Sequence, residues 1–168
     1  MNGRSNKNAV LIVFSSIKII FWRINIMAIK MRVLYASGKK KMVAFANEIK
    51  SKHQLAFNAV DVIPPAYPCD KERIVILAIS AKGSDISDAV TRFCQELTKA
   101  RAQNVALMID GDQAAANKIK EILTEAGTNV YDEVIFVNGG FPIFGTTPKP
   151  EEKVAVLDWV DRVIANLK

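Results

Sequence analysis

The stretch that decides the fold is Met31-Arg-Val-Leu-Tyr-Ala-Ser-Gly38, followed directly by Lys39-Lys-Lys-Met-Val-Ala-Phe-Ala-Asn-Glu-Ile49. The first part is an apolar run with β-branched and aromatic residues that stops at Ser-Gly, which predicts a strand and a tight turn. In the second part, apolar residues follow the helical spacing i, i+3, i+4 and i+7: Met42, Phe45, Ala46 and Ile49. Strand, glycine turn and helix open an α/β fold. The turn is a natural phosphate site because the first N–H groups of the helix point at it.

Further strands and one helix-free crossover follow. Short apolar runs predict strands at residues 56–62, 73–79, 104–109 and 133–137. Between the second and third of the five strands, Ile63-Pro-Pro-Ala-Tyr-Pro68 contains three prolines. Proline removes a backbone donor and clashes within a helix, so we expect this crossover to be a loop.

Periodic apolar residues predict three further helices. One is capped by Ser84 or Asp85, one spans residues 114–126 and ends at Gly127, and the last spans residues 151–167. In the first of these helices, one apolar face is predicted to consist of Ile86, Val90, Phe93 and Leu97. The last is predicted to bury Val154, Leu157, Val160 and Ile164.

The alternation of strands and helices predicts an α/β fold. Short turns between the elements imply a doubly wound, five-stranded parallel sheet of order 2-1-3-4-5 with helices on both faces. In such a sheet a ligand binds beyond the carboxyl ends of the first and third strands, where the strand order reverses. Four loops are predicted to meet there, at residues 37–41, 80–84, 110–113 and 138–144.

Charge and cysteine content exclude some functional classes. The net charge is +6, but residues 1–30 hold five of the 23 basic side chains and no acidic one. Residues 31–168 therefore carry 18 basic against 17 acidic side chains, a balance that does not indicate a nucleic-acid interface. The two cysteines lie in no metal-binding spacing, which favours a reduced, cytoplasmic setting.

Residues 1–30 read differently from the rest, so we predict an N-terminal extension (1–30) followed by one domain (31–168). Apolar runs at 9–17 and 19–22 are separated by Lys18, and neither reaches the roughly 20 residues of a bilayer span. No Ala-x-Ala cleavage site follows. Three interpretations stay open: a non-native extension with the true start at Met27 or Met31, a membrane-associating helix or anchor, or another role. We expect membrane contact only if the extension is native.

From Met31 to Lys168 the chain resembles a short, single-domain flavodoxin-like protein. The resemblance rests on Val-Leu-Tyr-Ala-Ser-Gly in the first strand, Val105-Ala-Leu-Met in the fourth, and Phe136-Val-Asn-Gly-Gly-Phe-Pro-Ile-Phe followed by Pro-Glu-Glu. Flavodoxins bind FMN and carry electrons, so the resemblance implies an FMN-binding electron-transfer flavoprotein. Such a protein needs no catalytic residues or metal ligands of its own, because the flavin carries the chemistry.

The FMN phosphate loop departs from the family pattern. Flavodoxins hold the phosphate in a Ser/Thr-x-Thr-Gly-x-Thr loop; here Ser37 and Gly38 are kept, but Lys39-Lys-Lys-Met42 replaces the rest. The lysines can attract an anion as point charges, or they can form a solvated helix start. By resemblance, the residues assigned to the phosphate are Ser37, Gly38, Lys39, Lys40 and Lys41. Those assigned to the flavin ring edge are Ser80, Ala81, Lys82, Gly83, Ser84, Asp110, Gly111, Asp112 and Gln113.

Aromatic side chains give a second test of the resemblance. Flavodoxins usually flank the flavin ring with aromatics from the loops after the third and fourth strands, and here both loops have none. Tyr67, Phe141 and Phe144 are the nearby candidates, although the two phenylalanines can equally cover the edge of the core.

Other reactive residue types have simpler interpretations. We expect Cys94 and Trp159 to pack in the core, and we expect Cys69, in the proline-rich loop, to be exposed and reactive. His53 lies near a predicted helix C-terminus, where a capping or dipole role is favoured over catalysis. A single histidine and the absence of G-x-S-x-G disfavour a hydrolytic triad.

Two functions are therefore carried forward. The first is FMN-linked electron transfer with a redox partner that the sequence does not name. The alternative is a degenerate flavodoxin-like domain that has lost FMN and acts as a binding or interaction module. A phosphorelay receiver is rejected because the loops after the first and third strands lack its acidic residues, and a nicotinamide fold because G-x-G-x-x-G is missing. The oligomeric state is not predicted.

Overall fold

The computed structural model describes residues 29–36, 38–140 and 145–168. Predictions for residues 1–28, Ser37 and residues 141–144 lie outside the described residues. The strands are β1 (Met31–Tyr35), β2 (Val60–Val62), β3 (Ile74–Ser80), β4 (Asn104–Asp110), β5 (Asn129–Val130) and β6 (Ile135–Phe136). The α-helices are α1 (Lys40–His53), α2 (Asp88–Glu96), α3 (Gln113–Glu125) and α4 (Pro150–Ala165).

The sheet is parallel and open, in the order β2-β1-β3-β4-β5, with β6 also paired to β4. This confirms the predicted 2-1-3-4-5 order of a flavodoxin-like fold. Tyr35 of β1 is level with Ala78 of β3, and Ala78 is level with Met108 of β4. The register therefore brings the carboxyl ends of β1, β3 and β4 to the same edge of the sheet.

Helices cover both faces of the sheet. Helices α1 and α4 pack on one face around Phe45, Trp159 and Val160, while α2 and α3 pack on the other around Phe93 and Leu123. Strands β3 and β4 are almost continuously buried because they are covered on both sides, as their unbroken apolar runs predicted. Truncating a side chain such as Phe45, which has no exposed surface, to alanine would cost about 3–5 kcal/mol of stability.

Two strands are shorter than their sequence patterns predicted. Residues 57–59 form a 3₁₀ turn, so β2 contains only Val60–Val62. Of the predicted fifth strand at 133–137, only Ile135–Phe136 forms a strand, β6, which pairs with the end of β4; an additional short strand that was not predicted, β5, precedes it and pairs with the start of β4. Tyr131 also donates to the carbonyl of Val105, so β5 and β6 together follow β4 through most of its length.

Helix α2 begins later than predicted. Its cap is Ser87, whose hydroxyl accepts from the amide of Val90, so the expectation of a cap at Ser84 or Asp85 was wrong. Lys82 and Asp85 instead exchange backbone hydrogen bonds of 3.3 and 3.2 Å. Residues 82–85 therefore form a tight turn, and helix α2 begins only after this turn.

The buried face of α4 also differs from the prediction. Val154 is 58% exposed, whereas Val156, Trp159 and Val163 are fully or almost fully buried. Trp159 determines which face of α4 is buried. Its large indole occupies the core, and its Nε1 donates to the carbonyl of Glu133 at 3.2 Å. The rotation about the helix axis that buries Trp159 turns Val154 outward, since the two lie on different faces.

The proline-rich crossover contains no helix, as predicted: residues 63–73 are all described and link β2 to β3 as a loop. Ile63 and Cys69 of this segment are buried in the same core cluster as Leu34 of β1. The loop thus covers part of the sheet face that a crossover helix covers elsewhere in the molecule.

The described fold extends slightly beyond the predicted boundary at Met31. The carbonyl of Lys30 accepts from the amide of Arg73 at 2.8 Å, so Lys30 continues the line of β1 toward β3. Of the helices in the described parts of the chain, none has the length and apolar character needed to cross a bilayer.

Candidate functional site

The candidate site lies at the reversal of strand order, where the loops after β1, β3 and β4 meet. The turn after β1 contains Gly38 at φ +121°, a backbone conformation that side-chain-bearing residues rarely adopt. A Cβ there would meet no atom within 4 Å, so the conformation, not a lack of space, requires glycine. Helix α1 then begins after Lys39, which is extended and provides no side-chain cap.

An ion pair between Lys39 and Asp110 spans this edge of the sheet. The ammonium nitrogen of Lys39 lies 2.5 Å from Oδ2 of Asp110, the last residue of β4. The two side chains are 33% and 13% exposed. Oδ2 has no aligned hydrogen bond to a described residue, so the contact is an ion pair rather than a well-formed hydrogen bond. It joins the loop after β1 to the end of β4 across the intervening strand β3.

Gly139 packs directly against the Lys39–Asp110 ion pair. A Cβ at this position would lie 2.2 Å from Oδ2 of Asp110 and 2.8 Å from Cδ of Lys39, so a larger residue cannot fit without displacing them. Burial alone would raise the pKa of Asp110. The ammonium of Lys39, the amide of Gly139 and the neighbouring Ser80 hydroxyl together outweigh burial and hold this pKa below its usual value. Asp110 is therefore a carboxylate at neutral pH.

The loops after β3 and β4 contact each other beside this ion pair. The amide of Ala81 donates to the carbonyl of Asp110 at 2.9 Å, and a Cβ on Gly111 would lie 3.3 Å from Cβ of Ala81. Asp112 caps helix α3 by accepting from the amide of Ala115 at 3.0 Å, and the Gln113 amide donates to Asn117. These polar side chains are thus engaged within α3 and its cap.

Three of the residues predicted to edge the flavin ring stand apart from the ion pair. Lys82, Gly83 and Ser84 are exposed and belong to the tight turn closed by Asp85. Gly83 supplies the positive φ of +62° that this turn needs. The structure therefore brings together Lys39, Ser80, Ala81 and the Asp110–Gly111 corner, but not residues 82–84.

The three consecutive lysines point to different places. Lys39 pairs with Asp110, Lys40 is exposed, and the buried Lys41 directs its ammonium to Oε1 of Glu152 on α4 at 2.7 Å. The Lys41 ammonium also lies 5.9 Å from the centre of the Phe45 ring. The hydrogen bond from Lys41 holds the pKa of Glu152 below its usual range. A phosphate grip built from all three side chains is therefore not assembled in this arrangement.

Further charged residues of α1 also pair with α4. Lys153 contacts Glu48, and Lys52 lies 2.7 Å from Asp161, whose other oxygen is 3.5 Å from Nε2 of His53. Burial lowers the pKa of His53 more than the Asp161 carboxylate raises it. His53 is consequently a neutral, buried residue of the α1–α4 contact at neutral pH.

The described residues do not fit FMN in this arrangement. The Lys39–Asp110 ion pair, with Gly139 packed against it, lies at the switch point, and the loops at 80–84 and 110–113 bring no aromatic ring to it. Tyr67 lies at the other end of the sheet, where its carbonyl accepts from Nη1 of Arg32, near the start of β1. Phe141 and Phe144 lie outside the described residues.

One functional residue was missed by the sequence analysis. Gly139 was placed only within a converging loop, although the Gly-Gly pair at 139–140 directly after a strand indicates a close backbone approach. The contact it makes depends on Lys39 and Asp110, which are far from it in sequence. The Gly-Gly pair therefore indicated that Gly139 could be a site residue, but it did not indicate that Lys39 and Asp110 are the residues it contacts.

The two cysteines are both buried. For Cys94 the prediction of a core residue is confirmed, and burial raises its pKa to about 12. For Cys69 the expectation of an exposed, reactive thiol was wrong: burial raises its pKa, and its Sγ lies 3.9 Å from Nη1 of Arg32. The proline-rich loop folds Cys69 inward because the loop itself must cover the sheet.

No group of three or more histidine, cysteine or acidic side chains suited to hold a metal ion occurs in the described parts of the chain. Comparison with models of known protein families gives no match for this sequence, and a search of curated proteins gives none either. The function must therefore be argued from the site itself.

Proposed function

We propose that this chain is a flavodoxin-like domain that acts as a binding module and does not use FMN. The observation that carries the proposal is the Lys39–Asp110 ion pair, with Gly139 packed against it at the switch point. A domain that has closed its ligand crevice with its own side chains has replaced the cofactor by an internal contact. Its surface, and not a flavin, then supplies the function.

The energetic barrier to FMN has two parts. Asp110 is largely buried and Lys39 partly so, which places their contact between exposed and buried ion pairs, at about 1–2 kcal/mol. Opening it would weaken a ligand's affinity by about tenfold for every 1.4 kcal/mol. The second part is the carboxylate of Asp110, because a negative charge at the switch point repels an approaching dianion once its pairing with Lys39 is broken.

Two exposed aromatic side chains indicate where a partner could bind. Phe57 is 93% exposed and Tyr67 is 68% exposed. Both flank the β2 edge, one in the 3₁₀ turn before the strand and the other in the proline-rich loop after it. Aromatic residues are enriched at interaction surfaces because each buries a large area when a partner binds.

FMN-linked electron transfer is the second candidate. One specific observation supports it: the turn between β1 and α1 contains Gly38 at positive φ, and Lys40 is exposed in the first turn of α1. Backbone N–H groups at this helix start would donate hydrogen bonds to a phosphate if the Lys39–Asp110 pair opened.

An FMN titration of the full chain, followed by visible absorption and flavin fluorescence, separates the two candidates. We expect no flavin bands in the purified protein and no binding up to about 100 μM FMN, a free energy weaker than about −5.5 kcal/mol. Lys39→Met should not restore binding, and Lys82→Met serves as the matched control on an exposed loop. Micromolar or tighter binding that Lys39→Met or Lys40→Met weakens would overturn the proposal and favour the electron carrier.

A photo-crosslinking residue at position 57 tests the binding surface directly. In cells that produce the full chain, we expect a discrete crosslinked species with position 57 and not with position 154. Val154 is a suitable control because it is also an exposed apolar residue, 58% accessible, but lies on α4. Equal crosslinking at both positions, or none at either, would count against a partner at the β2 edge.

A further inference from the structure

A cavity lies at the opposite end of the sheet from the switch point. It has a volume of about 230 Å³ and is bounded by the start of β1, the 3₁₀ turn and the proline-rich loop. Its polar lining residues are Lys30, Arg32, Asn58, Tyr67, Asp70 and Glu72. This cavity shares no residue with the switch point, so a ligand can bind here whether or not FMN binds there.

Arg32 is the buried cation of this cavity, with only 7% of its surface exposed. Its Nη1 donates to the carbonyl of Tyr67 at 2.7 Å, while Nε and Nη2 have no hydrogen-bond partner among the described residues. Nε and Nη2 share one edge of the guanidinium plane, the edge that binds a carboxylate through two parallel hydrogen bonds. Arg32 thus offers an unused two-donor fork.

The nearest carboxylate does not use this fork. Oδ2 of Asp61 stays 3.8 Å from Nη2 of Arg32. The two oxygens of Asp61 accept instead from the amides of Val62 and Ala66, each at 2.8 Å. Asp61 therefore balances the buried charge from a distance while its own turn holds it away from the fork.

Glu72 is the buried anion of the same cavity, with 4% of its surface exposed. Its Oε1 lies 3.6 Å from the ammonium of Lys30, and its Oε2 has no hydrogen-bond partner among the described residues. Burying an unpaired charged atom is unfavourable, so both Arg32 and Glu72 gain from a partner that the described chain does not supply.

We propose that this cavity binds a small zwitterion of the free α-amino acid class, with its carboxylate on Arg32 and its ammonium on Glu72. The lining contains two cations, Lys30 and Arg32, and two acids, Asp70 and Glu72, so it favours a ligand without net charge. The volume is below the roughly 300–1,000 Å³ of pockets for drug-sized molecules, which also fits a ligand of this size.

Ligand entry requires a shift of the cavity wall at Tyr67. The free atoms of Arg32 and Glu72 are shielded from solvent, whereas Tyr67 is 68% exposed. Displacing the exposed Tyr67 ring breaks few packing contacts, so the wall can open there while Ile63 and Cys69 of the same loop stay in the core. The competing arrangement is ordered water on the same atoms, which needs no ligand.

Titration of the full chain with free L-amino acids, one at a time, tests the proposal by calorimetry and by NMR shifts of backbone amides. We expect at least one of them to bind with a dissociation constant below about 1 mM, with shifts at Asn58, Tyr67 and Glu72. The N-acetyl and the α-amide forms of that amino acid are matched probes, because each lacks one of the two charges. Each should bind at least about tenfold more weakly.

Variants assign the binding to the two buried charges. Arg32→Lys keeps the charge but loses the fork, and Glu72→Gln keeps the shape but loses the charge; both should weaken binding by about tenfold or more. Because either change could disturb folding, Tyr67→Ala on the exposed wall and Arg101→Gln outside the cavity are tested alongside. Tyr67→Ala should change affinity, and Arg101→Gln should not. Absence of heat and of shifts from the folded protein up to about 10 mM of every amino acid would overturn the proposal and leave ordered water as the partner.

Discussion

The ammonium of Lys39 lies 2.5 Å from Oδ2 of Asp110, and this contact ties the loop after β1 to the end of β4 across the middle of the sheet. Both residues occupy the edge at which doubly wound sheets bind their ligands. Gly139 packs against the same carboxylate, so three loops converge on one side chain. The switch point is held together by charge and close packing within the chain.

Replacing Gly139 with alanine tests the packing at this point. The added Cβ would lie 2.2 Å from Oδ2 of Asp110, so the loop or the ion pair must move. We expect a loss of about 1–3 kcal/mol in the free energy of unfolding, measured by urea denaturation. In an Asp110→Ala background the same change should cost much less, because the clashing side chain is gone. An equal cost in both backgrounds would show that backbone conformation at position 139, rather than Asp110, sets the penalty.

The charge on Asp110 should make stability depend on pH. Its pKa in the folded protein lies below the unfolded value of 3.8, so its contribution is present above that value and is lost as the pH falls through the folded pKa. We expect Asp110→Asn to be less stable than the parent by about 1–2 kcal/mol at pH 7, with the difference shrinking as the pH falls below about 4. Urea denaturation from pH 7 to pH 3 measures it.

Asp132→Asn is the control for that series, because Asp132 is exposed and forms no ion pair with a described residue. It should shift stability by less than about 0.5 kcal/mol at every pH. A pH-independent loss in Asp110→Asn would indicate a hydrogen-bonding role for the side chain instead of a charge effect.

Lys41 and Glu152 should show measurable coupling, in contrast to the adjacent Lys40. The ammonium of Lys41 is buried and lies 2.7 Å from Oε1 of Glu152, so Glu152→Gln leaves a buried cation without its partner. A double-mutant cycle of Lys41→Met and Glu152→Gln should give a coupling energy of about 1 kcal/mol. Lys40→Met should change stability by less than about 0.5 kcal/mol. A coupling energy near zero would mean that solvent screens the pair.

His53 should titrate below its usual pKa of 6.5, because burial outweighs the neighbouring Asp161 carboxylate. The chain contains one histidine, so NMR of the imidazole protons measures this pKa without assignment. Asp161→Asn removes the carboxylate that favours protonation and should lower the pKa further. A pKa above 6.5 in the parent protein would show that the ion pair dominates burial.

The same shift predicts the sign of a stability change. A depressed histidine pKa contributes stability that is complete above pH 6.5 and falls as the pH drops from there toward the folded pKa. We expect the free energy of unfolding to decline over this interval by at most about 1.4 kcal/mol per pH unit. His53→Gln should flatten the profile, and Asp85→Asn, an exposed change elsewhere, should not.

The sheet order could be predicted because it depends on local patterns. Continuous apolar runs such as Ile74–Ser80 identify buried parallel strands, and Gly127 at φ +86° ends its helix as its sequence position indicated. The face of α4 could not be predicted in the same way. Its rotation is set by Trp159 in a core assembled from distant strands, so Val154 fitted the helical spacing and is nevertheless exposed.

The candidate site was predictable in place but not in arrangement. The meeting of Ser80, Asp110 and the Lys39 loop follows from strand order alone. The partner of each lysine could not be predicted from strand order. Lys41 pairs with Glu152 and Lys39 pairs with Asp110, and the residues of each pair are far apart in sequence. Consecutive charges that look equivalent in the sequence lie on different sides of a helix.

The helix-free crossover determines how the domain opens. Strand β2 joins the sheet through only three residue pairs with β1, and residues 63–73 after it form a loop without a helix of their own. Native proteins exchange their amide hydrogens through local opening of the segments with the fewest packed contacts. Among the described residues, the β2 edge and its loop therefore form one unit that we expect to open locally before the buried centre of the sheet does. Hydrogen exchange at Ile63, whose amide donates to the carbonyl of Tyr35 at 2.8 Å, will follow the detachment of that unit rather than the unfolding of the whole domain.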